Sequence, residues 1–170
     1  MTHTKQILDP DFALIDFTQV CEILGYTNNQ SIHAMKFHWC IEQGGAWWGT
    51  YDNDELIALS GIHPFKDGYR ALFRGVQLYP RSIGLNRYHM QSHGFYDQLP
   101  MQIEYADDKP IYITTNTVND ASGKMTRVNE SFKILARYNI VSLVGTETIF
   151  NAEQNVWLLD PDIYFKYRNK

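Results

Sequence analysis

The order of apolar and polar residues predicts two helices near the beginning of the chain. Between residues 11 and 24, apolar side chains recur at three- and four-residue intervals, as they do along one face of a helix. Gly25 would end that helix, because glycine readily adopts the backbone conformation of a helix end. A second helix is expected over residues 31–43, with Ser31 as its N-cap and Gly44 as its stop.

A hairpin and a third strand follow these helices in the predicted order. Residues 46–51 and 56–62 are mostly apolar and aromatic, and the polar residues 52–55 between them are typical of a hairpin turn. Residues 64–68 predict another turn, after which residues 69–78 have the length and composition of a strand. We therefore expect three consecutive antiparallel strands.

The second half of the chain alternates between predicted helices and strands. A helix over residues 82–96 and a strand over residues 109–116 would complete a β-α-β unit with the strand before them. A further helix over residues 126–139 places its apolar residues on one face and would end at Asn139. Strands are expected over residues 140–145, 147–151 and 156–160, with residues 151–155 as a loop, so that the chain closes on a hairpin.

Length and composition indicate a single domain that spans residues 1–170. A chain of 170 residues is long enough for one substantial core, and its 44% apolar, 20% charged and 14% aromatic content is that of a globular protein. The formal net charge of −4 argues against nucleic-acid binding, which needs a clustered basic surface. Small-molecule chemistry is the better expectation.

The first residues and the two cysteines indicate a cytoplasmic protein. Residues 1–17 lack the basic-then-apolar order of an export signal, and nowhere does the chain carry the roughly 18 consecutive apolar residues of a membrane span. Cys21 and Cys40 are therefore expected to be reduced thiols in a core. We predict a soluble cytoplasmic protein with no membrane partner.

Residues 79–86 have the features of a phosphate-binding turn between a strand and a helix. The first N–H groups of a helix have no partners within the helix, and the helix dipole adds positive potential there. Gly84 would let a phosphate approach the main chain, Arg81 would add a charge-assisted hydrogen bond, and Pro80 would stiffen the turn. An ordinary helix start is the alternative, because one Arg and one Gly three residues apart form a weak pattern.

The order of elements and this turn together resemble the GNAT (GCN5-related N-acetyltransferase) superfamily over residues 11–160. The signature of that family is Gln or Arg, two residues, Gly, one residue, then Gly or Ala, between the fourth strand and the third helix. Arg81 and Gly84 occupy the first two signature positions, and Asn86 departs from the last one. The side chain of Asn86 would either crowd the diphosphate of a bound coenzyme A or donate to it.

The resemblance implies an α+β fold with a central mixed, mostly antiparallel twisted sheet flanked by helices. The fourth and fifth strands, residues 69–78 and 110–116, would splay apart and hold the pantetheine arm of acetyl-coenzyme A, or of another acyl-coenzyme A, between them. The positions that the resemblance implies for cofactor binding are Val76, Gln77, Leu78, Arg81, Ser82, Ile83, Gly84, Leu85, Asn86, Asn116 and Asn129.

The resemblance also implies an activity, which is transfer of an acetyl group to an amine of a small molecule or peptide by direct attack in a ternary complex. A second family landmark is matched at Asn129 and Leu135, but Ala136 stands where members often carry a tyrosine that protonates the leaving thiolate. Tyr138 is the candidate substitute, with a core or surface aromatic as the alternative. His63 is the first candidate for the general base, with a loop-edge histidine of no catalytic role as the alternative. Glu104 and the histidines of residues 87–93 are the next candidates.

Three further alternatives remain open at this point. A GNAT-like chain without the usual tyrosine could be an inactive coenzyme A-binding or protein-interaction module. Exposed final strands could pair two copies into a homodimer. His89 and His93 have the spacing of two zinc ligands on a helix, but the metalloprotease glutamate is missing between them, so no metal is expected.

Overall fold

The computed structural model describes residues 2–8, 38–76, 97–117, 124–149 and 151–169. The predicted helix over residues 11–24, the phosphate-binding turn over residues 79–86 and the helix over residues 82–96 lie outside this part of the chain. The strands are β1 (Thr2–Ile7), β2 (Ala46–Asp52), β3 (Glu55–Phe65), β4 (Gly68–Val76), β5 (Ile111–Asn116), β6 (Val141–Ile149) and β7 (Ala152–Leu159). The helices are α1 (Leu99–Ala106), α2 (Lys124–Arg137) and α3 (Pro161–Arg168), and residues 38–42 are also helical.

The seven strands form one sheet in the order β1-β2-β3-β4-β5-β7-β6. Strands β1 and β2, β2 and β3, β5 and β7, and β6 and β7 pair antiparallel. The expected α+β class with a mixed sheet is confirmed. Contacts divide the chain into two compact units, one of Met1–Pro64 and Ala71–Asp107 and the other of Phe65–Arg70 and Asp108–Lys170.

The predicted hairpin of the first unit is confirmed as β2 and β3. Its two-residue turn has positive φ at Asn53 (47°) and Asp54 (71°), the conformation that matches the twist of a tight hairpin. The predicted helix end at Gly44 is also confirmed: residues 38–42 are helical, Gly44 has a φ of 87°, and the Gly45 N–H donates to the Cys40 carbonyl over 2.8 Å.

Strand β1 and helix α1 were not predicted from the sequence. The six residues of β1 are mostly polar, and only Ile7 among them is buried. Backbone pairing with β2, helped by a 2.8 Å hydrogen bond between the hydroxyls of Thr4 and Thr50, makes this segment a strand. Because β1 precedes β2 and β3, the strand that begins at residue 68 is the fourth of the strands that the structure describes, as the resemblance requires.

Helix α1 is joined to the sheet by buried amide and hydroxyl groups as well as by apolar contacts. The Gln98 amide, just before α1, donates to the Thr50 hydroxyl over 3.0 Å and accepts a hydrogen bond from the Ser60 hydroxyl. The Gln102 amide donates to Ser60 over 2.7 Å. These four side chains are at most 2% exposed, so each buried polar group needs its partner.

The two neighbouring tryptophans point to opposite faces of β2, as strand alternation requires. Trp47 is fully buried, and Trp48 is 2% exposed with its ring 5.4 Å from that of Tyr105 on α1. Both rings therefore belong to the core, and the ring of Trp48 packs against α1.

Strands β4 and β5 begin side by side in the second unit and run parallel. The Tyr69 N–H donates to the Pro110 carbonyl over 2.8 Å; Tyr69 is the second residue of β4, and Pro110 directly precedes β5. A methyl group at Gly68 would overlap the carbonyl of Pro110, so this approach of two backbones requires glycine.

The turn predicted over residues 64–68 contains fewer residues than expected. Strand β3 continues through Phe65, and Lys66 has a φ of 51°.

The end of the chain differs from the predicted closing hairpin. Residues 152–155 were expected in a loop but belong to β7, where Ala152 pairs with Ile149 and Gln154 with Glu147. The prediction was wrong because the side chains of these residues are mostly polar. Gln154 is nevertheless buried, and its amide donates to the Ile149 carbonyl over 3.2 Å. The two strands predicted over residues 140–145 and 147–151 are replaced by one strand, β6 (Val141–Ile149), with an irregularity between Leu143 and Gly145.

Two helices complete the second unit. Helix α2 confirms the prediction, and Asn139 follows it with a φ of 61° in the left-handed conformation of a helix end. Helix α3 was not predicted, although its start is marked in the sequence: the Asp160 side chain caps it by accepting from the Ile163 N–H over 3.1 Å, and Pro161 opens its first turn. No helix in the described ranges is long and apolar enough to cross a membrane.

We expect Gly68→Ala to destabilise the protein by about 2 kcal/mol or more, because the added methyl meets a backbone carbonyl that is held by a hydrogen bond. Gly49→Ala is the matched substitution, since its methyl would meet the side chains of Leu56 and Tyr51 instead of backbone. Chemical unfolding of the two variants measures the difference. A loss for Gly68→Ala no larger than that for Gly49→Ala would contradict the close approach.

Candidate functional site

Asn129 on α2 is the centre of a hydrogen-bonded group at the end of β5. Its Oδ1 accepts from the Thr115 hydroxyl over 2.6 Å and from the Asn155 amide over 3.1 Å. Its Nδ2 donates to the main-chain carbonyl of Asn116 over 2.9 Å. One side chain thus joins the helix to the last residues of β5 and to the neighbouring strand β7.

Apolar packing supports this group from the interior. The Trp157 indole donates from Nε1 to the Thr115 hydroxyl over 2.9 Å, and both residues are buried. The Trp157 ring stacks on Phe132 of α2 with 5.5 Å between ring centroids. Because Ile113 pairs with Trp157 and Thr115 with Asn155, these residues of β5 and β7 share the sheet face that α2 covers.

The chain remains fixed where it leaves β5. The Thr117 N–H donates to the Glu153 carbonyl over 3.1 Å, and the Thr117 hydroxyl donates to the Glu153 carboxylate over 2.9 Å. The side chain of Asn116, by contrast, is exposed. Of the two asparagines predicted to bind cofactor, Asn116 presents its side chain at the surface and Asn129 turns its side chain into the fold.

The remaining predicted cofactor residues lie at or beyond the end of β4. Val76 is the last residue of this strand. The predicted residues that follow it are outside the described part of the chain: Gln77, Leu78, Arg81, Ser82, Ile83, Gly84, Leu85 and Asn86. Their roles stay predictions.

His63, the predicted general base, lies on β3 in a shielded environment. Its side chain is 6% exposed, and its ring meets the edge of Trp39 with 4.7 Å between centroids. The Cys40 thiol donates to the carbonyl of Ile62, the residue before His63, over 3.2 Å. The helical segment 38–42 therefore covers β3 beside this histidine, whereas Glu104 on α1 is exposed.

Tyr138, the predicted thiolate-protonating residue, follows the end of α2. It is 53% exposed, and its ring meets that of Tyr167 on α3 with 5.4 Å between centroids. Nine residues separate it from Asn129, which corresponds to about 13 Å along a helix axis. This placement favours the alternative of a surface aromatic, and the catalytic role stays a prediction.

The buried side chain of Arg70 lies on the face of β5 and β7 that is opposite to Asn129. Arg70 on β4 is 6% exposed and donates from Nε to the Thr114 hydroxyl over 2.8 Å and from Nη2 to the Gln154 side-chain carbonyl over 3.3 Å. Burial lowers the pKa of Arg70 to about 10. Arg70 thus ties β4 to β5 and β7 on the face opposite Asn129.

A shallow groove lies beside the irregularity of β6, and Lys66 and Glu147 form an ion pair within it. None of the residues predicted to bind cofactor lines it. The described residues also hold no cluster of three or more histidine, cysteine, aspartate or glutamate side chains that could bind a metal ion.

Thr115 and Asn155 are site residues that the sequence did not reveal. Thr115 was expected only as a β-branched strand residue, and Asn155 was assigned to a loop. The register of β5 against β7 is what brings both to Asn129. A single sequence carries no signal for such pairing between distant strands.

The sequence matches no protein-family model and no curated protein, but the fold matches solved structures. An N-acetyltransferase from Staphylococcus aureus Mu50 is similar with a TM-score of 0.60 and 13% identity, over 94% of this chain and 97% of its own. A Desulfovibrio desulfuricans protein assigned to the GNAT family of acetyltransferases gives a TM-score of 0.61 and 11% identity, over 94% and 99%.

A third match was solved with a ligand. An aminoglycoside 6'-N-acetyltransferase complexed with coenzyme A gives a TM-score of 0.56 and 14% identity, over 93% of this chain and 96% of its own. This chain therefore has the fold of the GNAT acetyltransferases, and the resemblance found in the sequence is confirmed at the level of the fold.

We expect the Cys40 thiol to react with a maleimide at pH 8 only after unfolding, because the side chain is buried.

Burial raises the pKa of Cys40 from 9.0 to about 12, so the folded protein keeps a proton that the unfolded chain releases above pH 9. Stability should therefore fall as pH rises from about 9 to 12, by at most about 1.4 kcal/mol per pH unit.

Alkylation in a Cys21→Ser background isolates this thiol, and urea unfolding at several pH values measures the slope. Cys40→Ala is the control, since it should lack the part of the slope that the thiol contributes. Rapid alkylation of the folded protein, or equal slopes with and without Cys40, would contradict the prediction.

Proposed function

We propose that this chain transfers an acetyl group from acetyl-coenzyme A, or another acyl group from its coenzyme A thioester, to an amine of a small molecule or peptide. The proposal rests on the match of the fold, over 93% or more of the chain, to acetyltransferases, one of which is complexed with coenzyme A. The Arg81–Gly84 motif supports it, since this motif follows β4 in the sequence where the family signature would stand.

Several of the predicted binding residues have a physical task in this proposal. The Arg81 guanidinium and the N–H groups around Gly84 would hold the pyrophosphate by charge-assisted hydrogen bonds at a helix start. Main-chain groups of residues 76–78 would pair with the pantetheine arm, and Asn116 would contact the cofactor from the end of β5.

The reaction needs proton transfer but no covalent enzyme intermediate. The amine nitrogen attacks the thioester carbonyl, a C–N bond forms, the C–S bond breaks, and the sulfur leaves as a thiolate. His63 is proposed to take the proton released by the amine. Tyr138 or solvent supplies the proton that the thiolate takes up. N–H donors near the carbonyl would stabilise the negative charge that develops on its oxygen.

Acetyl-coenzyme A should raise the melting temperature of the protein, because a ligand bound by the folded state alone stabilises that state. At a hundred times its Kd the ligand adds about 2.7 kcal/mol, which corresponds to several degrees. Arg81→Ala should raise the Kd on the order of tenfold or more by removing a charged hydrogen bond. Thermal unfolding across a ligand titration measures both effects.

Arg137→Ala is the matched control, since Arg137 is an exposed arginine in the last turn of α2. The absence of a thermal shift at millimolar acetyl-coenzyme A would refute the proposal. Thiol release measured against a panel of amines then separates the two functional classes. Binding without turnover on every amine would favour the inactive binding module. That alternative is considered because Ala136 stands at the usual tyrosine position.

A further inference from the structure

We propose that two copies of this chain form a dimer by pairing their β6 strands antiparallel about a twofold axis at Thr146. This interface is independent of the acyltransferase function. Strand β6 is the last strand in the order of the described strands, with β7 as its neighbour on one side. Residues 142–146 and Thr148 are exposed, so no described residue covers the other side of β6.

The two edges of the sheet differ in their protection against pairing. Edge strands of soluble proteins are commonly protected by lysine, by proline or by short length. Strand β1, at the other edge, has six mostly polar residues and carries the exposed Lys5. Strand β6 has nine residues with neither lysine nor proline, and the neighbouring residues Leu143 and Val144 are 54% and 51% exposed. The β6 edge is therefore the one that suits pairing with another strand.

The bonding of β7 determines which backbone groups of β6 point to the open edge. The Glu153 carbonyl accepts from the N–H of Thr117, just after β5, over 3.1 Å, so the backbone groups of Glu153 face β5. Thr148 of β6 lies opposite Glu153, and Thr146 lies opposite Asn155. Because successive residues direct their backbone groups to alternate sides of a strand, those of Thr146 and Thr148 point away from β7. A second strand would pair with these donors and acceptors.

Charge distinguishes the registers in which these groups can meet. An axis at Glu147 would place the two Glu147 carboxylates directly opposite each other, which is destabilising. An axis at Thr146 instead places each Glu147 opposite Gly145 of the other copy. Thr148 then lies opposite Val144, which is exposed in the single chain. Because Glu147 is the one charged residue of β6, this register brings no like charges together.

The symmetric pair closes on itself, whereas other uses of this edge would not. Pairing of β6 with β1 of another copy would be head-to-tail and would continue into a filament, and the exposed Lys5 on β1 opposes it. A contact limited to one strand pair about 30 Å long is smaller than the standard interface of roughly 800 Å² per partner. We therefore expect a reversible dimer with a Kd in the micromolar range.

Sedimentation equilibrium of the full chain, from low to several hundred micromolar, measures the monomer–dimer equilibrium. Val144→Lys should raise the dimer Kd about tenfold or more, because it adds a charge to the paired edge. Met101→Lys is the matched control, since Met101 is an exposed apolar residue on α1, and it should leave the Kd unchanged. Both variants should keep the circular dichroism spectrum of the wild type, because both replaced side chains are exposed.

Disulfide formation in a Cys21→Ser background tests the register. Thr146→Cys should give a linked dimer with oxidised glutathione, because hydrogen-bonded residues opposite each other have Cα atoms about 5.5 Å apart, within the range of a disulfide. Thr148→Cys is the control on the same strand, since an axis at Thr146 leaves the two copies of residue 148 about 14 Å apart. Cys40 is buried and stays in both variants.

A wild-type chain that stays monomeric over this range would overturn the proposal, and so would assemblies that grow beyond the dimer with concentration. A dimer that Val144→Lys leaves intact would place the interface elsewhere and overturn it too. Equal linkage of both cysteine variants, or linkage of Thr148→Cys alone, would refute the register. A dimer that Val144→Lys weakens and Thr146→Cys selectively links would support the proposal.

Discussion

In the second compact unit two strands begin side by side, and the Tyr69 N–H near the start of β4 donates to the carbonyl of Pro110, which directly precedes β5. Because β4 and β5 both start there, they run parallel and must be joined by a long connection, the chain between them. Gly68 permits the approach, since a larger residue would overlap Pro110. With β4 on one side, β5 takes β7 as its other neighbour, and this register brings Thr115 opposite Asn155.

The far end of β5 is held by a side chain as well as by its pairing with β7. The Asn129 amide donates to the Asn116 carbonyl, and the Thr117 N–H donates to the main-chain carbonyl of Glu153.

Several elements followed from local patterns, and others did not. The β2–β3 hairpin was predictable because Asn53 and Asp54 suit a tight turn between apolar runs, and α2 because its apolar residues recur at helical spacing. Strand β1 and residues 152–155 were missed because their side chains are polar. Backbone pairing makes them strands, and Gln154 is buried with its amide bonded.

The sequence by itself indicated the fold class, predicted a phosphate-binding turn at Arg81 and Gly84, and singled out the two asparagines that lie at the end of β5 and on α2. These depend on short-range spacing and on a family signature, both of which are written along the chain. The tertiary structure alone decided the different placements of those asparagines. Asn129 faces inward because strand register brings Thr115 and Asn155 to its carbonyl oxygen, and such long-range pairing leaves no mark in a single sequence.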